Sequence, residues 1–583
     1  MSARDDAAAP VRRDEFAAAL GPRPSIDVVG SPEVPTWPVD VAAGYRDAGY
    51  WTGETFGQML RTRALEHGGR EAVVGGGQRW TYDELDRRAD ELAGGLARLG
   101  VRRGDRVVVQ LPNEPVFLEV LLGCLRRGAV PVMALPAHRS SELLHFARHS
   151  EAVALITTGR RAGCDHAALA EEVQAGAPFL REVIVDDPAP RPGQRALDDL
   201  RGDGLDPDAH WLPNGPDLAL LQLSGGTTGL SKLIPRTHDD YRYSVQVSAE
   251  VCGFGPQTRY LCALPAAHNF PLSSPGTLGT LWAGGTVVMC PSPDPRTALD
   301  LIAAERITVT GIVPPLALAW LDALSGGTWD TSSLELLQVG GAKLDADVAA
   351  RIEPAFGARL QQVFGMAEGL VNYTRPEDSP EVTFRTQGRP MSPGDEVRVV
   401  DEAGQPVAPG EAGALQTRGP YTIRGYYRAP EHNATAFTDD GFYVTGDLVE
   451  QTPSGHLTVV GRAKEQINRG GEKVAPGEVE HHLLAHPDVV DACVIGLPDP
   501  QLGERTCAVL LTRGAPPTAA SVRRFVRERG VAAFKVPDRV AFVDAFPTTG
   551  VGKVSRRDLR ALLTAQLLAP AGEPAHPEPD VRR

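Results

Sequence analysis

The alternation of helix and strand patterns from Thr81 onward constrains the fold of this chain more than any other feature of its sequence. Thr81-Tyr-Asp-Glu84 is a helix-capping box, and apolar residues follow it at helical spacing as far as Leu99. The predicted segments after it are a buried strand at 106–110, a helix at 116–127, and strands at 130–135, 152–157, 183–185 and 218–223. This alternation predicts an α/β fold in which helices cover a largely parallel sheet.

The pattern changes after about residue 385, where glycine, proline and short β-like runs dominate. The runs at 396–400, 413–417 and 455–460 predict a small β-rich lobe. After Gly461-Arg462 a new α+β pattern begins, with a helix predicted at 476–484 and a strand at 492–496. A chain of 583 residues is too long for a single core, so we predict a domain boundary near 462–465.

Charge and composition narrow the possible functions and location. The net charge of −15 gives no sign of the basic excess of a nucleic-acid-binding protein, so we expect neither nucleic-acid nor membrane partners. No run of 18 apolar residues and no signal peptide is recognisable, and the seven scattered cysteines contain no CxxC pair. These features predict a cytoplasmic protein with reduced thiols. Residues 1–36 and 569–583 are predicted to be a flexible extension and a disordered tail.

A glycine- and hydroxyl-rich loop carries the strongest chemical signal. The predicted strand at 218–223 leads into Ser224-Gly-Gly-Thr-Thr-Gly229, and Lys232 follows three residues later. Glycines allow backbone N–H groups to point at a phosphate, hydroxyls add donors, and a lysine adds positive charge. The loop is not a Walker motif, because Lys232 precedes Leu233 rather than serine or threonine. We therefore predict a phosphate-binding loop of another kind.

This loop resembles the phosphate loop of the adenylate-forming superfamily, which includes acyl-CoA synthetases, peptide-synthetase adenylation domains and luciferases. Four later motifs resemble those of the superfamily in the same order: Val363-Phe-Gly-Met-Ala-Glu368, Tyr443-Val-Thr-Gly-Asp447, Gly461-Arg-Ala-Lys464 and Pro547-Thr-Thr-Gly-Val-Gly-Lys553. Five ordered matches between residues 224 and 553 make a chance resemblance very improbable.

Further phrases resemble the stand-alone aryl-acid ligase branch, and in particular the 2,3-dihydroxybenzoate–AMP ligases, over residues 37–565. They are Ile234-Pro-Arg-Thr-His238, Ala267-His-Asn-Phe-Pro-Leu-Ser-Ser-Pro-Gly276, Gln338-Val-Gly-Gly-Ala-Lys343 and Asn468-Arg-Gly-Gly-Glu-Lys473. The resemblance implies a large N-terminal domain at 37–461, built of two sheet-helix lobes and a β-barrel. It also implies a small, mobile α+β lid domain at 462–568.

The resemblance implies a role for individual residues. Contacts with ATP or AMP are expected from Ser224, Gly225, Gly226, Thr227, Thr228, Gly229, Lys232, Gly341, Ala342, Val363, Asp447 and Arg462. Glu368 is expected to bind Mg²⁺, Lys553 to neutralise charge where the acid carboxylate meets the α-phosphate, and Lys464 to act as the hinge. His268 is expected to position the reacting carboxylate, which is already ionised and needs no general base.

Five residues are expected to line the aryl-acid site: Asn269, Phe270, Ser274, Gly341 and Val371. The resemblance implies that Asn269 hydrogen-bonds the 2-hydroxyl of the acid, and that Ser274 and Val371 border the 3-position of its ring. Peptide-synthetase domains commonly have aspartate where this chain has Asn269, and an amide suits a neutral phenol. Phe270 stands where tyrosine is common in dihydroxybenzoate ligases.

The implied reaction is ATP-dependent activation of an aryl acid as aryl-AMP, followed by transfer to the phosphopantetheine thiol of a separate aryl carrier protein. The expected acid is 2,3-dihydroxybenzoate, and the setting is siderophore or related nonribosomal biosynthesis. Salicylate or 3-hydroxypicolinate are alternative acids, and free CoA is an alternative acceptor, as in an aryl-CoA synthetase. A non-catalytic nucleotide-binding protein is the alternative from a different class.

Overall fold

A computed structural model describes residues 33–204, 212–224, 231–462, 465–469, 472–499, 502–529, 533–549 and 553–568. The described residues form two compact units. The first contains those up to Thr445 together with Glu450–Val459, and the second contains Gly446–Val449 and those from Val460 onward.

Residues 33–36, which the sequence assigned to the flexible extension, are packed on the first unit. Val34 is buried, and the carbonyl of Glu33 accepts a hydrogen bond from the Arg428 backbone N–H. An apolar side chain and a backbone group of this segment therefore both have partners in the first unit.

The strands are numbered along the chain. In the first half they are β1 (Glu71–Gly75), β2 (Gln78–Thr81), β3 (Arg106–Gln110), β4 (Val130–Met133), β5 (Ala154–Thr158), β6 (Arg160–Arg161), β7 (Cys164–Asp165), β8 (Glu182–Asp186), β9 (Arg195–Ala196), β10 (Leu218–Leu223), β11 (Leu233–Thr237), β12 (Arg259–Cys262) and β13 (Thr286–Met289). In the second half they are β14 (Val309–Ile312), β15 (Leu336–Gly340), β16 (Arg359–Met366), β17 (Gly369–Tyr373), β18 (Arg389–Pro390), β19 (Glu396–Val400), β20 (Ala412–Arg418), β21 (Tyr443–Gln451), β22 (Leu457–Arg462), β23 (Ile467–Arg469), β24 (Glu472–Val474), β25 (Val489–Asp499), β26 (Gly503–Thr512) and β27 (Arg539–Phe542).

The α-helices are numbered in the same way. They are α1 (Val39–Asp47), α2 (Phe56–His67), α3 (Tyr82–Arg98), α4 (Pro115–Arg127), α5 (Ser140–Ser150), α6 (His166–Gly176), α7 (His238–Val251), α8 (Asn269–Ser273), α9 (Gly276–Trp282), α10 (Pro295–Ala304), α11 (Pro314–Gly326), α12 (Ala346–Phe356), α13 (Pro380–Arg385), α14 (Pro430–Ala436), α15 (Pro476–Leu484), α16 (Ala519–Glu528) and α17 (Arg556–Leu568). Short 3₁₀ helices cover Leu197–Leu200 and Ala533–Lys535.

Two large sheets dominate the first unit. One has seven strands in the order β11-β10-β4-β3-β5-β8-β9, and all its pairs are parallel except β10 with β11. The other has nine strands in the order β18-β17-β16-β15-β14-β12-β13-β1-β2, with a parallel centre from β16 to β1. The helices between parallel strands are the crossover connections that such sheets require. The predicted α/β class with two sheet-helix lobes is therefore confirmed.

The β-rich segment that the sequence placed after residue 385 forms a four-stranded sheet in the order β19-β20-β21-β22. The predicted run at 396–400 is β19 itself, and the runs at 413–417 and 455–460 fall within or overlap β20 and β22. In the second unit, β24, β23, β26 and β25 form a sheet that β27 joins beside β26. Helix α15 has the predicted bounds, 476–484.

Local signals fixed the helix starts well and the strand ends less well. The side chain of Thr81 accepts a hydrogen bond from the Glu84 N–H, and the Glu84 carboxylate accepts one from the Thr81 N–H, as the capping box predicts. Strand β4 ends at Met133, two residues earlier than predicted, because the Leu135 N–H donates to His138 Nδ1 in a turn. Strand β5 begins two residues later than predicted, because the Ala152 N–H bonds the carbonyl of Ala147 at the end of α5.

Apolar burial follows the two large sheets. The strands β3 and β10 are buried almost throughout, and α4 is buried on all sides between its neighbours. None of the helices in the described part of the chain combines the length and the apolar character that crossing a membrane would require.

Candidate active site

The two ends of the predicted phosphate loop are joined by a pair of hydrogen bonds. The Ser224 N–H donates to the carbonyl of Lys232, and the Lys232 N–H donates to the Ser224 hydroxyl oxygen, both at 2.9 Å. The ammonium of Lys232 lies 5.3 Å from the ring centroid of Tyr426. The intervening site residues Gly225, Gly226, Thr227, Thr228 and Gly229 lie outside the described residues. The antiparallel pair β10–β11 thus brings a serine hydroxyl and a cation to the base of the loop.

The carboxylate predicted to bind Mg²⁺ is held by a tyrosine hydroxyl. Glu368 lies in the turn between β16 and β17 and is buried, with its Oε1 accepting a hydrogen bond from the Tyr426 hydroxyl at 2.8 Å. The hydroxyls of Tyr426 and Tyr443 are 2.9 Å apart. Burial raises the pKa of Tyr426, and the negative charge of Glu368 raises it further, so this hydroxyl remains a donor.

The chemistry of Glu368 fits a magnesium ion that arrives with a triphosphate. Mg²⁺ prefers hard oxygen ligands and is commonly held by one or two carboxylates plus substrate phosphates. Within the described ranges, no group of three or more His, Cys, Asp or Glu side chains forms an all-protein metal site. Glu368 would therefore be the protein ligand, and phosphate oxygens would provide others.

Asp447 and Arg462, both predicted to contact the nucleotide, are paired. The Arg462 Nε donates to Asp447 Oδ1 at 2.9 Å. Asp447 is buried, whereas the side chain of Arg462 is half exposed. Burial raises the pKa of Asp447 above its ordinary value, and the Arg462 charge and hydrogen bond act in the opposite direction. The arginine thus orients a carboxylate that can accept hydrogen bonds from ribose hydroxyls.

Helix α8, which is only five residues long, carries Asn269 and Phe270 of the predicted acid site, and the predicted positioning residue His268 caps it. His268 is its N-cap, and its Nδ1 accepts a hydrogen bond from the Phe270 N–H at 3.3 Å. Asn269 is half-buried, and its Oδ1 accepts a hydrogen bond from the Tyr241 hydroxyl at 2.8 Å. One helical turn therefore fixes the directions of His268, Asn269 and Phe270 together.

Phe270 meets the ends of two strands of the nine-stranded sheet. A Cβ atom added at Gly340 would lie 3.2 Å from Phe270 Cζ and 2.8 Å from the carbonyl oxygen of Val363, so only glycine fits there. A Cβ at Gly311 would lie 3.3 Å from the same ring atom. These glycines leave room for the aromatic ring at the carboxyl ends of β14 and β15, the edge where ligands bind in open α/β sheets.

Val371 and Ser274 are also buried in the first unit. Val371 pairs with Gly365 across β16 and β17, and a Cβ added at Gly365 would contact both of its methyl groups at 3.2 and 3.3 Å. Ser274 is buried close to the Tyr373 hydroxyl, which donates to Ser248 Oγ at 2.9 Å. Ser274 thus lies beside a pair of buried hydroxyls.

Gly341 and Ala342 follow β15 in an exposed turn, where Gly341 has φ +84°, a conformation that favours glycine.

The predicted catalytic lysine lies in the second unit. There the Thr549 N–H donates to the carbonyl of Lys553 at 2.7 Å, and the Lys553 N–H donates to Thr549 Oγ1 at 3.3 Å. The backbone of the predicted catalytic lysine is therefore hydrogen-bonded to Thr549, and residues 550–552 between them lie outside the described residues. The predicted hinge, Lys464, lies outside the described residues.

Three residues for which we predicted no role from the sequence surround the predicted site. The hydroxyl of Tyr426 donates a hydrogen bond to Glu368, and that of Tyr241 donates one to Asn269. The buried guanidinium of Arg236 donates to the carbonyl of Ala367, next to Glu368, at 2.7 Å. No spacing rule links any of these residues to its partner, although Arg236 belongs to the quoted phrase Ile234-Pro-Arg-Thr-His238.

Comparison with known proteins is consistent with this geometry. Residues 60–427 match the AMP-binding enzyme family, and residues 478–553 match the AMP-binding enzyme C-terminal domain. The chain is 55% identical over 535 residues to 2,3-dihydroxybenzoate-AMP ligase of Bacillus subtilis (strain 168), covering 91% of this chain and 98% of that protein.

Two further relatives extend the comparison. The chain is 46% identical to the salicyl-AMP ligase / salicyl-S-ArCP synthetase of Mycobacterium tuberculosis, covering 93% of this chain and 96% of that protein. The apo structure of MbtA from Mycobacterium smegmatis superposes with a TM-score of 0.70 at 46% identity, covering 90% of this chain and 98% of that one. The family match, the extent of these alignments and the ordered motifs lead to one conclusion: this chain belongs to the family of AMP-binding, adenylate-forming enzymes.

Proposed function

We propose that this protein activates an aryl carboxylic acid, with 2,3-dihydroxybenzoate as the preferred substrate, and transfers it to the phosphopantetheine thiol of a separate aryl carrier protein. The observation that carries the proposal is the constellation around α8, in which the half-buried amide of Asn269 adjoins Phe270 at the carboxyl ends of β14 and β15. A neutral amide and apolar walls suit a phenol-bearing ring better than an amino acid with an α-ammonium group. The Bacillus subtilis relative is a 2,3-dihydroxybenzoate-AMP ligase, which supports this choice.

In the first half-reaction, a carboxylate oxygen of the acid attacks the α-phosphorus of ATP. The bond from that phosphorus to the bridging oxygen breaks, and pyrophosphate leaves as aryl-AMP forms. Both partners are anionic, so cations at Lys232 and Lys553 would offset their repulsion. Mg²⁺ held by Glu368 would supply charge neutralisation for the triphosphate.

In the second half-reaction, the thiol of phosphopantetheine attacks the acyl carbon and loses its proton. The acyl–phosphate bond breaks, AMP leaves and a thioester forms. The proposed biological setting is siderophore or related nonribosomal biosynthesis, in which such thioesters are consumed.

Salicylate is the second candidate substrate, because the ring of Phe270 is apolar and because one relative is a salicyl-AMP ligase. The 3-hydroxyl that distinguishes the two acids would meet Ser274. Loss of one neutral hydrogen bond costs about 0.5–1.5 kcal/mol, so we expect a preference for 2,3-dihydroxybenzoate of about tenfold or less. Ser274→Cys should reduce this ratio, because a thiol is a weaker hydrogen-bonding group.

The test is ATP–pyrophosphate exchange with Mg²⁺ and a panel of benzoates, picolinates and quinaldates. Exchange should require an aryl acid and should be fastest with 2,3-dihydroxybenzoate. Background exchange with every acid would contradict the proposal, and faster exchange with salicylate would favour the second candidate. Thioester formation on an aryl carrier protein, compared with that on free CoA, distinguishes the proposed acceptor from an aryl-CoA synthetase.

A further inference from the structure

The amide of Asn269 has a defined orientation because its oxygen is bound from two sides. The Tyr241 hydroxyl donates to Asn269 Oδ1 at 2.8 Å. The Ser273 hydroxyl, one turn along α8, lies 3.2 Å from the same oxygen and 3.1 Å from the Asn269 carbonyl, so it shares its hydrogen between them. The amide atom that faces both hydroxyls is Oδ1, which accepts from each of them.

The direction of the Tyr241 hydroxyl is set by a second contact. The side-chain N–H of Gln222, at the end of β10, donates to the Tyr241 hydroxyl oxygen at 3.4 Å. A phenol has a single hydrogen, and with its oxygen accepting from Gln222 that hydrogen is available for Asn269. Burial raises the pKa of Tyr241 to about 12, so the hydroxyl keeps this hydrogen at neutral pH.

The Tyr241 ring itself is held rigidly. It is fully buried in α7, the guanidinium of Arg236 lies 4.6 Å from its centroid, and the ring of Phe56 lies against it in an edge-on contact. Arg236 is in turn fixed by Asp240, which accepts from its Nε at 2.6 Å. The phenol therefore presents its hydroxyl to Asn269 from a fixed position.

The other end of the amide is available. Among the residues that the structure describes, Asn269 Nδ2 has no hydrogen-bond partner, and Asn269 is half-buried while Phe270 and Ser273 beside it are buried. An amide nitrogen carries two N–H donors and no acceptor. Asn269 thus offers only hydrogen-bond donors beside the ring of Phe270.

We propose that Tyr241 is a positioning residue that sets substrate class by holding Asn269 as a donor, so that the enzyme selects aryl acids whose 2-substituent accepts a hydrogen bond. A phenol or phenolate oxygen is such an acceptor. A 2-amino group presents N–H donors, and its lone pair is delocalised into the ring and accepts poorly. Its N–H groups would therefore face the N–H groups of Asn269, which would be left without a hydrogen-bond acceptor. The inference rests on the proposed function of this site.

The experiment compares kcat/KM in pyrophosphate exchange for salicylate, anthranilate and benzoate. In the wild type, salicylate should exceed anthranilate by at least tenfold. Tyr241→Phe removes one of the two donors that hold the amide oxygen, and we expect the salicylate-to-anthranilate ratio to fall about two- to tenfold, as for loss of one neutral hydrogen bond. The kcat/KM for benzoate, which has no 2-substituent, should change less than twofold.

Tyr243→Phe is the matched control. Tyr243 lies on the same helix and is also buried, but its hydroxyl is 2.6 Å from Ser392 Oγ instead of Asn269. This variant should leave the salicylate-to-anthranilate ratio unchanged. A fall of the same size in Tyr243→Phe would assign the effect to general loosening of α7 and overturn the inference.

Asn269→Asp provides a second, independent test, which can be made even if the Tyr241→Phe variant does not fold. It replaces the donor by an acceptor, and we expect the ratio to move toward anthranilate by tenfold or more. A ratio within twofold of the wild type in either variant, while wild-type exchange with salicylate is intact, would overturn the inference. Absence of exchange with every acid in the wild type would instead contradict the proposed function.

Discussion

Glu368 illustrates how a single residue is prepared for its predicted role. Its carboxylate is buried and accepts a hydrogen bond from Tyr426, whose hydroxyl lies beside that of Tyr443. A donor of this kind fixes the direction of the carboxylate. The arrangement places a rigid anionic ligand near Lys232, whose ammonium lies over the Tyr426 ring.

Tyr426→Phe tests this arrangement. A hydrogen bond to a charged group is worth about 1.5–3 kcal/mol, so its loss should lower kcat/KM for ATP by about tenfold or more and raise the Mg²⁺ concentration required for half-maximal exchange. The measurement is pyrophosphate exchange over a Mg²⁺ titration. The KM for the aryl acid is the internal control, and an unchanged Mg²⁺ dependence would show that Tyr426 does not position the ligand.

Asp395 is a buried carboxyl group with an incomplete set of partners. Its Oδ2 accepts hydrogen bonds from the Tyr421 hydroxyl at 2.6 Å and the Ser392 N–H at 3.2 Å, whereas Oδ1 is buried without a partner in the described chain. Burial raises the pKa of Asp395 from 3.8 to about 7, although both hydrogen bonds act to lower it. Between these two pH values the folded state binds more protons than the unfolded state, so the free energy of unfolding falls as pH rises.

Replacing Asp395 with asparagine should remove this pH dependence, because an amide keeps an acceptor for Tyr421 and does not ionise. We expect the free energy of unfolding of the wild type, relative to Asp395→Asn, to fall by about 1–3 kcal/mol between pH 4 and about pH 8 and to level off above that. Urea unfolding at pH 4, 5, 6, 7, 8 and 9 measures the difference. If the difference stays constant as pH rises, or grows in favour of the wild type, the pKa of the Asp395 carboxyl group is not raised in the folded state.

At the scale of elements, short capping signals determine where the helices begin. The reciprocal hydrogen bonds of Thr81 and Glu84 start α3, and Thr55 and Thr237 make equivalent capping boxes at α2 and α7. Because α7 carries Tyr241 and α8 carries Asn269, the starts of these helices set the register of the hydroxyl and amide that meet.

Thr81→Ala should destabilise the first unit by about 1 kcal/mol, because the side chain no longer accepts a hydrogen bond from the Glu84 N–H. The measurement is the urea midpoint of the transition that reports on the first unit, for example by tryptophan fluorescence. Thr81→Ser retains the capping oxygen and should restore most of the loss. Equal destabilisation by both substitutions would attribute the effect to the lost methyl group instead of the cap.

At the scale of the whole molecule, the predicted site residues are divided between two units. His268, Asn269 and Glu368 belong to the first unit, whereas Asp447, Arg462 and Lys553 belong to the second. Substitutions in each unit can therefore be compared separately in the two half-reactions.

Lys553→Ala should therefore affect the half-reactions unequally. Losing a preorganised positive group beside a developing charge typically costs about 10²- to 10³-fold in rate, and we expect this loss in aryl-AMP synthesis. Transfer from chemically supplied aryl-AMP to an aryl carrier protein should change little. Single-turnover assays of each half-reaction make the comparison, with Lys535→Ala in the same unit as the control. Equal losses in both half-reactions would contradict this division of roles.

The sequence by itself determined the class of fold, the order of the motifs and most element positions. Periodicity, capping and glycine placement are local properties, so strands such as β3, β10 and β19 and helix α15 have the bounds that the sequence predicted. Local patterns did not predict where β4 ends or where β5 begins. Residues at those positions form hydrogen bonds within a turn and to the preceding helix instead of within the sheet.

Only the tertiary structure decided which groups meet at the predicted site. Tyr241 and Asn269 are 28 residues apart, and Tyr426 and Glu368 are 58 apart. Contacts at such separations depend on how sheets and helices stack, and no local pattern encodes them. The family resemblance implied that Asn269 hydrogen-bonds the 2-hydroxyl of the acid. The fold decided that the amide oxygen of Asn269 already accepts hydrogen bonds within the protein, so that its N–H groups remain for a ligand.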